Sequence, residues 1–264
     1  MKVNKILLLG NDKKVQECRN RFISQGFSAE IEFDKTILNK LQTHDCIVLP
    51  LPTVSNGLIS GTDFTVEELL DNKRPEQYVF CGNIDLTGVS KCFSYYYDET
   101  FLLKNSLLTA QGVLKLLVEN TDSCIFGTKV AVIGYGRCGK MISSMLKGFG
   151  TKVTVFARRN ASIAQAYFDG YLSENISVIN DAIGNFDVIV NTVPSHIITE
   201  NGISKLSSNN IYIEVASKPY GFDINKTDLF NFKYILGESL PGRFFPRSAG
   251  INIADTVIEI LKEV

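Results

Sequence analysis

The sequence has no tryptophan and only two histidines, His44 and His196. Imidazole is a common zinc ligand and the usual proton carrier near neutral pH, so this scarcity leaves little material for a histidine-rich metal centre. The six cysteines, Cys18, Cys46, Cys81, Cys92, Cys124 and Cys138, are scattered, and no two form C-x-x-C. That argues against a zinc ribbon, a dithiol redox motif and a disulfide framework, and it reads as reduced, mostly buried thiols. Charge of neither sign is in excess: Lys+Arg 27 stand against Asp+Glu 28, a net charge of −1. A nucleic-acid surface needs a basic excess that this chain lacks, although a local basic pocket for a small anion is compatible with it. Long hydrophobic runs are missing too. Residues 6–9 and 188–190 are typical, far below the roughly 20 needed to cross a bilayer. The first ten residues carry lysines and a short apolar stretch without a small-x-small cleavage site, so they do not read as a signal peptide. The expectation is a cytoplasmic protein with no membrane span, no nucleic-acid partner and no metal.

What remains is ordinary globular material. Of 264 residues, 45% are hydrophobic and 21% charged, enough for about two domains at roughly 150 residues each. Strand-like and helix-like segments alternate without repeats. Residues 5–9 read as a strand stopped by Gly10-Asn11-Asp12. Asp12 is placed to cap a helix running to Gly26, with Val15, Cys18, Phe22 and Ile23 on one face. Strands at 29–33 and 46–49 flank a helix at 35–42. Pro50-Leu51-Pro52 ends the third strand, and another follows at 78–81. This β-α-β-α-β order predicts a parallel sheet with helices on its faces. Tyr95-Tyr96-Tyr97 reads as partly buried strand residues near a hinge. The segment 107–118 predicts a linker helix with Leu107, Ala110, Val113, Leu114, Leu117 and Val118 on one face. A second alternation then begins, with strands at 129–133, 152–156, 186–191, 211–215 and 234–236. Its helices fall at 138–149 and 163–168, and a last amphipathic helix at 249–262. The predicted fold class is α/β in two domains. Residues 1–104 form a small flavodoxin-like/Rossmann-like N-terminal domain for substrate or partner. Residues 105–248 form a Rossmann dinucleotide-binding domain that includes the linker helix. The C-terminal helix, 249–264, is expected to return to the first domain.

One motif carries chemistry. Val130-Ala131-Val132-Ile133 runs into Gly134-Tyr135-Gly136-Arg137-Cys138-Gly139, a G-x-G-x-x-G that follows a strand and opens a helix, with a second strand beyond. That is the context of a dinucleotide fingerprint. Gly134 permits the tight turn, Gly136 lets backbone approach a pyrophosphate, and Gly139 lets helix pack on strand. The helix start then offers N–H groups and partial positive charge to phosphate. The second strand ends Ala157-Arg158-Arg159-Asn160, with no carboxylate for the ribose hydroxyls. Two guanidiniums where a 2′-phosphate would lie predict NADP over NAD.

Other turns border the same region, because ligands in open α/β sheets sit beyond the carboxyl ends of strands. Asn191-Thr192-Val193-Pro194-Ser195 and Glu214-Val215-Ala216-Ser217-Lys218-Pro219 are two such turns. Thr192, Val193, Pro194 and Ala216 are expected along the nicotinamide ribose. His196 is a weak catalytic candidate, because a lone histidine after a turn is more often polar surface. No Ser-His-Asp, Cys-His or paired-carboxylate arrangement stands out, so the catalytic residue is left unassigned. The stretch from Leu240 to Gly250 reads as a held loop facing an interdomain cleft. In it, Arg243 and Arg247 are placed to clamp substrate carboxylates and Ser248 to cap the last helix.

Several stretches together resemble the family of the dipicolinate synthase A subunit, found in endospore-forming bacteria. They are Lys104-Asn105-Ser106 with Thr109-Ala110-Gln111-Gly112, Asn120-Thr121-Asp122 with the glycine turn, and the two turns just quoted with Tyr220-Gly221. Leu240-Pro241-Gly242 with Pro246-Arg247-Ser248-Ala249-Gly250 completes them. The resemblance runs from about Asp98 to the C-terminus and is looser in the first domain, at residues 8–12 and 45–50. The family usually has Asp at Glu214, Arg at Lys218, Lys at Arg247 and Thr at Ser248. The resemblance implies an NADP-dependent oxidoreductase, cytoplasmic in the mother cell during sporulation. It would oxidise dihydrodipicolinate, derived from 4-hydroxy-tetrahydrodipicolinate, to dipicolinate for the spore core. It implies a partner, the flavoprotein-like B subunit of dipicolinate synthase, and a homo-oligomer is compatible with it. Asn105, Ser106, Thr109, Lys218, Arg243 and Arg247 become the candidates for the substrate carboxylates.

Two other readings stay open. A shikimate-dehydrogenase-like NADP oxidoreductase needs a Lys/Asp pair in the first domain, where only Lys35 and Asp85 offer themselves. A nucleotide-binding subunit without catalysis is the other. The D-2-hydroxyacid dehydrogenases need a late histidine, and none follows His196.

Overall fold

A computed structural model describes residues 3–34, 36–224 and 230–264. The chain divides into two compact units, Met1–Asn105 with Pro241–Val264, and Ser106–Leu240.

In the first unit the chain runs β1 (Lys5–Leu9), α1 (Lys13–Ser24), β2 (Ser28–Glu32), α2 (Ile37–Leu41) and β3 (Cys46–Val48). A small hairpin of β4 (Val54–Ser55) and β5 (Leu58–Ile59) follows, then α3 (Val66–Asn72), β6 (Tyr78–Cys81) and β7 (Cys92–Ser94). The main sheet is parallel, in the order β2-β1-β3-β6-β7. With the hairpin set aside this is the flavodoxin-like 2-1-3-4-5 order. The central strands are buried on both faces, which is why they read as unbroken apolar runs. Ile6, Leu8, Val48 and Phe80 meet Val15, Cys18 and Phe22 of α1 on one face. Leu7, Leu9, Ile47 and Val79 meet Ile37, Leu41 and Leu69 on the other. The Asp12 carboxylate caps α1 by accepting from the Val15 N–H at 2.9 Å.

The unit boundary falls within α4 (Glu99–Asn120), whose first turn Asp98 closes by accepting from the Phe101 N–H at 2.7 Å. In the second unit come β8 (Lys129–Ile133), α5 (Arg137–Gly148), β9 (Lys152–Ala157), α6 (Asn160–Phe168) and β10 (Leu172–Asn175). They are followed by α7 (Ile179–Ala182), β11 (Val188–Asn191), α8 (Glu200–Ile203), β12 (Ile211–Glu214) and β13 (Lys233–Leu236). Its sheet is parallel in the order β10-β9-β8-β11-β12-β13. Counted within the unit that is 3-2-1-4-5-6, the Rossmann order, with its switch point between β8 and β11.

The chain then passes through α9 (Leu240–Phe244) into α10 (Pro246–Glu263). Ile253, Ala254, Val257 and Ile258 of α10 join the core beside α1, and Arg21 Nε meets Asp255 at 2.6 Å. The approach of α10 is close: a Cβ on Gly250 would stand 2.4 Å from the Lys14 carbonyl.

Several local expectations need correction. The stretch from 240 to 250 is two helical segments, not a loop. Pro246 fits the first turn of α10, where its missing N–H costs nothing, so Ser248 lies inside the helix and caps nothing. The second unit closes at Leu240 rather than 248, because Gly242 and Gly250 both lie against α1. Ile23, Leu107 and Val118 are exposed, and Leu116 takes a buried place on α4 instead. Tyr95–Tyr97 forms a 3-10 turn, with Tyr95 buried and Tyr97 exposed, rather than a strand. Among the described helices α4 alone is long and apolar enough to cross a membrane, but half of that stretch is buried inside the protein, as in a core helix.

Candidate functional site

The glycine turn lies where the Rossmann order places a ligand, at the carboxyl end of β8 beside the switch point. Each glycine has a separate reason to lack a side chain. Gly134 sits at φ +98°, and a Cβ there would meet Thr192 Oγ1 at 2.4 Å. A Cβ on Gly139 would stand 2.2 Å from the Gly134 carbonyl, so only glycine lets α5 lie this close to the strand. Gly136 has nothing within 4 Å of its missing Cβ. It stands at the N-cap of α5 without a side-chain cap, so the first-turn N–H groups are offered outward. Open space over uncapped N–H groups fits a pyrophosphate. Burial pushes the Cys138 thiol up, with Arg137 opposing, which makes it a poor nucleophile.

The turn after β9 carries Arg158, Arg159 and Asn160, all exposed. Neither arginine has an ion-pair partner among the described residues, so both guanidiniums are available to an anion. Tyr135 departs from its expected role. Its ring is buried against Tyr171, with centroids 6.0 Å apart, and its hydroxyl donates to Asp169 at 2.6 Å. Only its backbone borders the turn.

Across the switch point, Thr192 Oγ1 donates to the Ile133 carbonyl at 2.8 Å and so fixes the β11 turn against the glycine turn. Asn191 and Glu214 end neighbouring strands as register partners, and both are fully buried. Asn191 Nδ2 donates to both carboxylate oxygens of Glu214, at 2.8 and 3.1 Å. The N–H groups of Ala216 and Gly221 donate to the same carboxylate at 3.0 and 2.8 Å. Asn191 Oδ1 accepts from the Val193 N–H at 3.1 Å. One carboxylate thus holds together the turns that carry Val193 and Ala216. Burial pushes Glu214 up to about 7, while the Gly221 N–H, the Asn191 amide and the Ala216 N–H pull it down.

His196 is exposed, and its Nε2 lies 2.9 Å from the Pro219 carbonyl, a contact that anchors the turn. Lys218 is exposed in that turn. Ser106 and Thr109 are buried on α4 in the second unit, whereas Asn105, Arg243 and Arg247 belong to the first. Arg243 lies over the Phe244 ring at 4.8 Å. Of the shikimate-type pair, Lys35 lies outside the described residues, and Asp85 accepts from the Thr87 N–H at 2.9 Å.

Sequence reading missed the Asn191–Glu214 knot and the Tyr135–Asp169 bond. The first had a sequence signal: VIVN and IYIE are buried strands that each end on a polar residue.

Residues 105–234 match the family described as S-adenosyl-L-homocysteine hydrolase, NAD binding domain. That segment holds the glycine turn, and the match supports a nicotinamide dinucleotide as ligand of the second unit. The dipicolinate synthase A subunit of Bacillus subtilis (strain 168) is 27% identical over 236 residues, 84% of this chain and 80% of that protein. Two solved structures share the fold. The dipicolinate synthase A subunit from Bacillus halodurans has a TM-score of 0.88 at 23% identity, covering 99% of this chain and 98% of that one. Its Bacillus subtilis counterpart has a TM-score of 0.84 at 24% identity, covering 100% and 97%. In sequence along most of its length, and in fold, this chain is similar to the A subunit of dipicolinate synthase.

Proposed function

We propose that the chain is the A subunit of a dipicolinate synthase, an NADP-dependent oxidoreductase that converts dihydrodipicolinate to dipicolinate. The observation that carries the reading is the similarity over 84% of the chain to a protein of that name, with the glycine turn inside it. Removing two hydrogens makes the ring aromatic, which supplies driving force. The nicotinamide, when bound, accepts the hydride from a ring carbon, and the proton goes to a base or to water. The protein's share is to hold and orient two rings.

In this reading the turn of Gly134, Tyr135, Gly136, Arg137, Cys138 and Gly139 cradles the pyrophosphate, while the Gly134 N–H itself donates to the Phe156 carbonyl at 2.8 Å. Arg158, Arg159 and Asn160 bind the 2′-phosphate. Thr192, Val193, Pro194 and Ala216 line the nicotinamide end. Asn105, Ser106, Thr109, Lys218, Arg243 and Arg247 are assigned to the substrate carboxylates. The partner is the flavoprotein-like B subunit, and the setting is the mother-cell cytoplasm of a sporulating cell.

The test is turnover. The cyclic precursor is made in situ from aspartate semialdehyde and pyruvate, and dipicolinate is followed by its ultraviolet absorbance, with and without the flavoprotein-like partner. Product that requires this chain and NADP together supports the proposal. Product that requires the partner but neither this chain nor NADP would recast the chain as a nucleotide-binding protein without catalysis. The cofactor choice has its own test. Arg158→Ala should weaken NADPH binding by about tenfold and leave NADH little changed, the loss of one charge-assisted phosphate contact. Equal wild-type affinities for the two would overturn NADP preference.

A further inference from the structure

Among the described residues Glu214 is the one carboxylate that is fully buried. A buried carboxylate ordinarily pairs with a cation, because an isolated charge in a low dielectric is costly. Here all four close contacts are N–H donors, from Asn191, Ala216 and Gly221, and no cation pairs with it among the described residues. The titratable groups that act on it are tyrosines, while the basic groups of the adjoining turns, Lys218 and His196, are exposed and neither pairs with it. Tyr212 shares its strand, Tyr220 follows in the next loop, and Tyr234 faces it from β13. Beyond Tyr220 lies a second carboxylate, Glu238, which accepts the Tyr220 hydroxyl at 2.5 Å. The hydroxyls of Tyr212 and Tyr234 are buried and have no partner. The site therefore holds negative charge without its counter-charge, in the knot that ties the 191–194 turn to the 216–221 turn.

The missing charge has an obvious supplier. Oxidised nicotinamide carries a positive ring, and reduced nicotinamide is neutral. We infer that Glu214 sets the redox preference of the nucleotide site, its unpaired carboxylate favouring the cationic oxidised dinucleotide over the reduced one. This rests on the nicotinamide end of the ligand lying along Val193 and Ala216, as proposed above. Glu214 is a positioning and electrostatic residue here. It acts through the turns it holds and the field it projects, and it touches no reacting atom. The preference suits a site that takes up oxidised cofactor, accepts hydride and then lets the neutral form go.

The four donors match the carboxylate, not the acid. A protonated Glu214 would set an O–H among N–H groups. Binding of the oxidised form should therefore expel the proton, and its affinity should rise as pH climbs through about 7. The reduced form should show neither effect.

The experiment measures dissociation constants of the oxidised and reduced dinucleotide for the full chain, by calorimetry in two buffers of different ionisation heat. Without tryptophan in the chain, fluorescence of the reduced form gives a second reading. In wild type the ratio of affinities should favour the oxidised form increasingly with pH, with proton release on binding that form alone. Glu214→Gln should lower the ratio on the order of tenfold and flatten its pH profile. Glu214→Asp, which keeps the charge, should retain both. An equal loss for the two forms in Glu214→Gln would reduce the residue to scaffolding and overturn the inference. So would an unchanged ratio, or a wild type without proton release. Should Glu214→Gln fail to fold, the wild-type proton release decides alone. A wild type that binds neither dinucleotide fails the functional reading itself, an outcome distinct from binding without preference.

Discussion

At the scale of single residues, the glycine turn separates two roles that its spacing alone merges. Gly136 faces open space, and Gly139 faces the Gly134 carbonyl at 2.2 Å from a notional Cβ. Gly136→Ala should therefore leave thermal stability nearly unchanged and weaken dinucleotide binding at least tenfold, since the methyl group takes the space a pyrophosphate needs. Gly139→Ala should destabilise the fold by about 1–3 kcal/mol, because backbone must move to admit it. Parallel denaturation and dinucleotide titration check the pair, and a reversed pattern would refute the assignment. The fingerprint and the Asp12 cap were legible in the sequence because both act on backbone within a few residues. The Tyr135–Asp169 bond spans 34 residues and the Asn191–Glu214 bond 23, so neither pairing is written in a local pattern, although the polar ends of VIVN and IYIE mark the two members of the second.

At the scale of elements, the central strands were legible because burial on both faces leaves an apolar run. The strands that were missed lie at the margins. β10 reads LSEN and is mostly exposed, and β7 is three half-buried residues. An edge strand with one neighbour has no continuous apolar face to announce it. The segment before the last helix misled for a different reason: its two prolines suggest a loop, yet Pro246 starts a helix. Three substitutions check these assignments in urea. Asp12→Ala removes the cap of α1 and should cost about 1 kcal/mol, whereas Ser248→Ala should change stability by less than about 0.5 kcal/mol. Ile253→Ala, on the buried face of α10, should cost about 2–5 kcal/mol. A silent Ile253→Ala would mean that α10 is not part of the core beside α1.

At the scale of the whole molecule, the alternation of strands and helices foretold parallel sheets but not their strand orders, since the same alternation gives 2-1-3-4-5 in the first unit and 3-2-1-4-5-6 in the second. The chain's return at Pro241 to its first unit was only half legible, because which helix meets α1 depends on side-chain fit rather than period. Stability against pH is also a property of the whole, and Glu214 gives it a sign. Its folded value, about 7, lies above the 4.5 of an ordinary glutamate. Between those values the folded state binds more protons than the unfolded one, so stability falls as pH rises. The contribution is complete below about 4.5 and is lost by the time pH passes about 7. Its size is about 3–4 kcal/mol, from roughly 1.4 kcal/mol per pKa unit. Urea midpoints from pH 4.5 upward should therefore decline in wild type and decline less in Glu214→Gln. Oxidised dinucleotide should flatten the wild-type curve further than its binding at a single pH explains, since it restores the counter-charge that the buried carboxylate lacks. Parallel curves with and without the dinucleotide would detach the acid from the ligand site and leave it a structural knot between two turns.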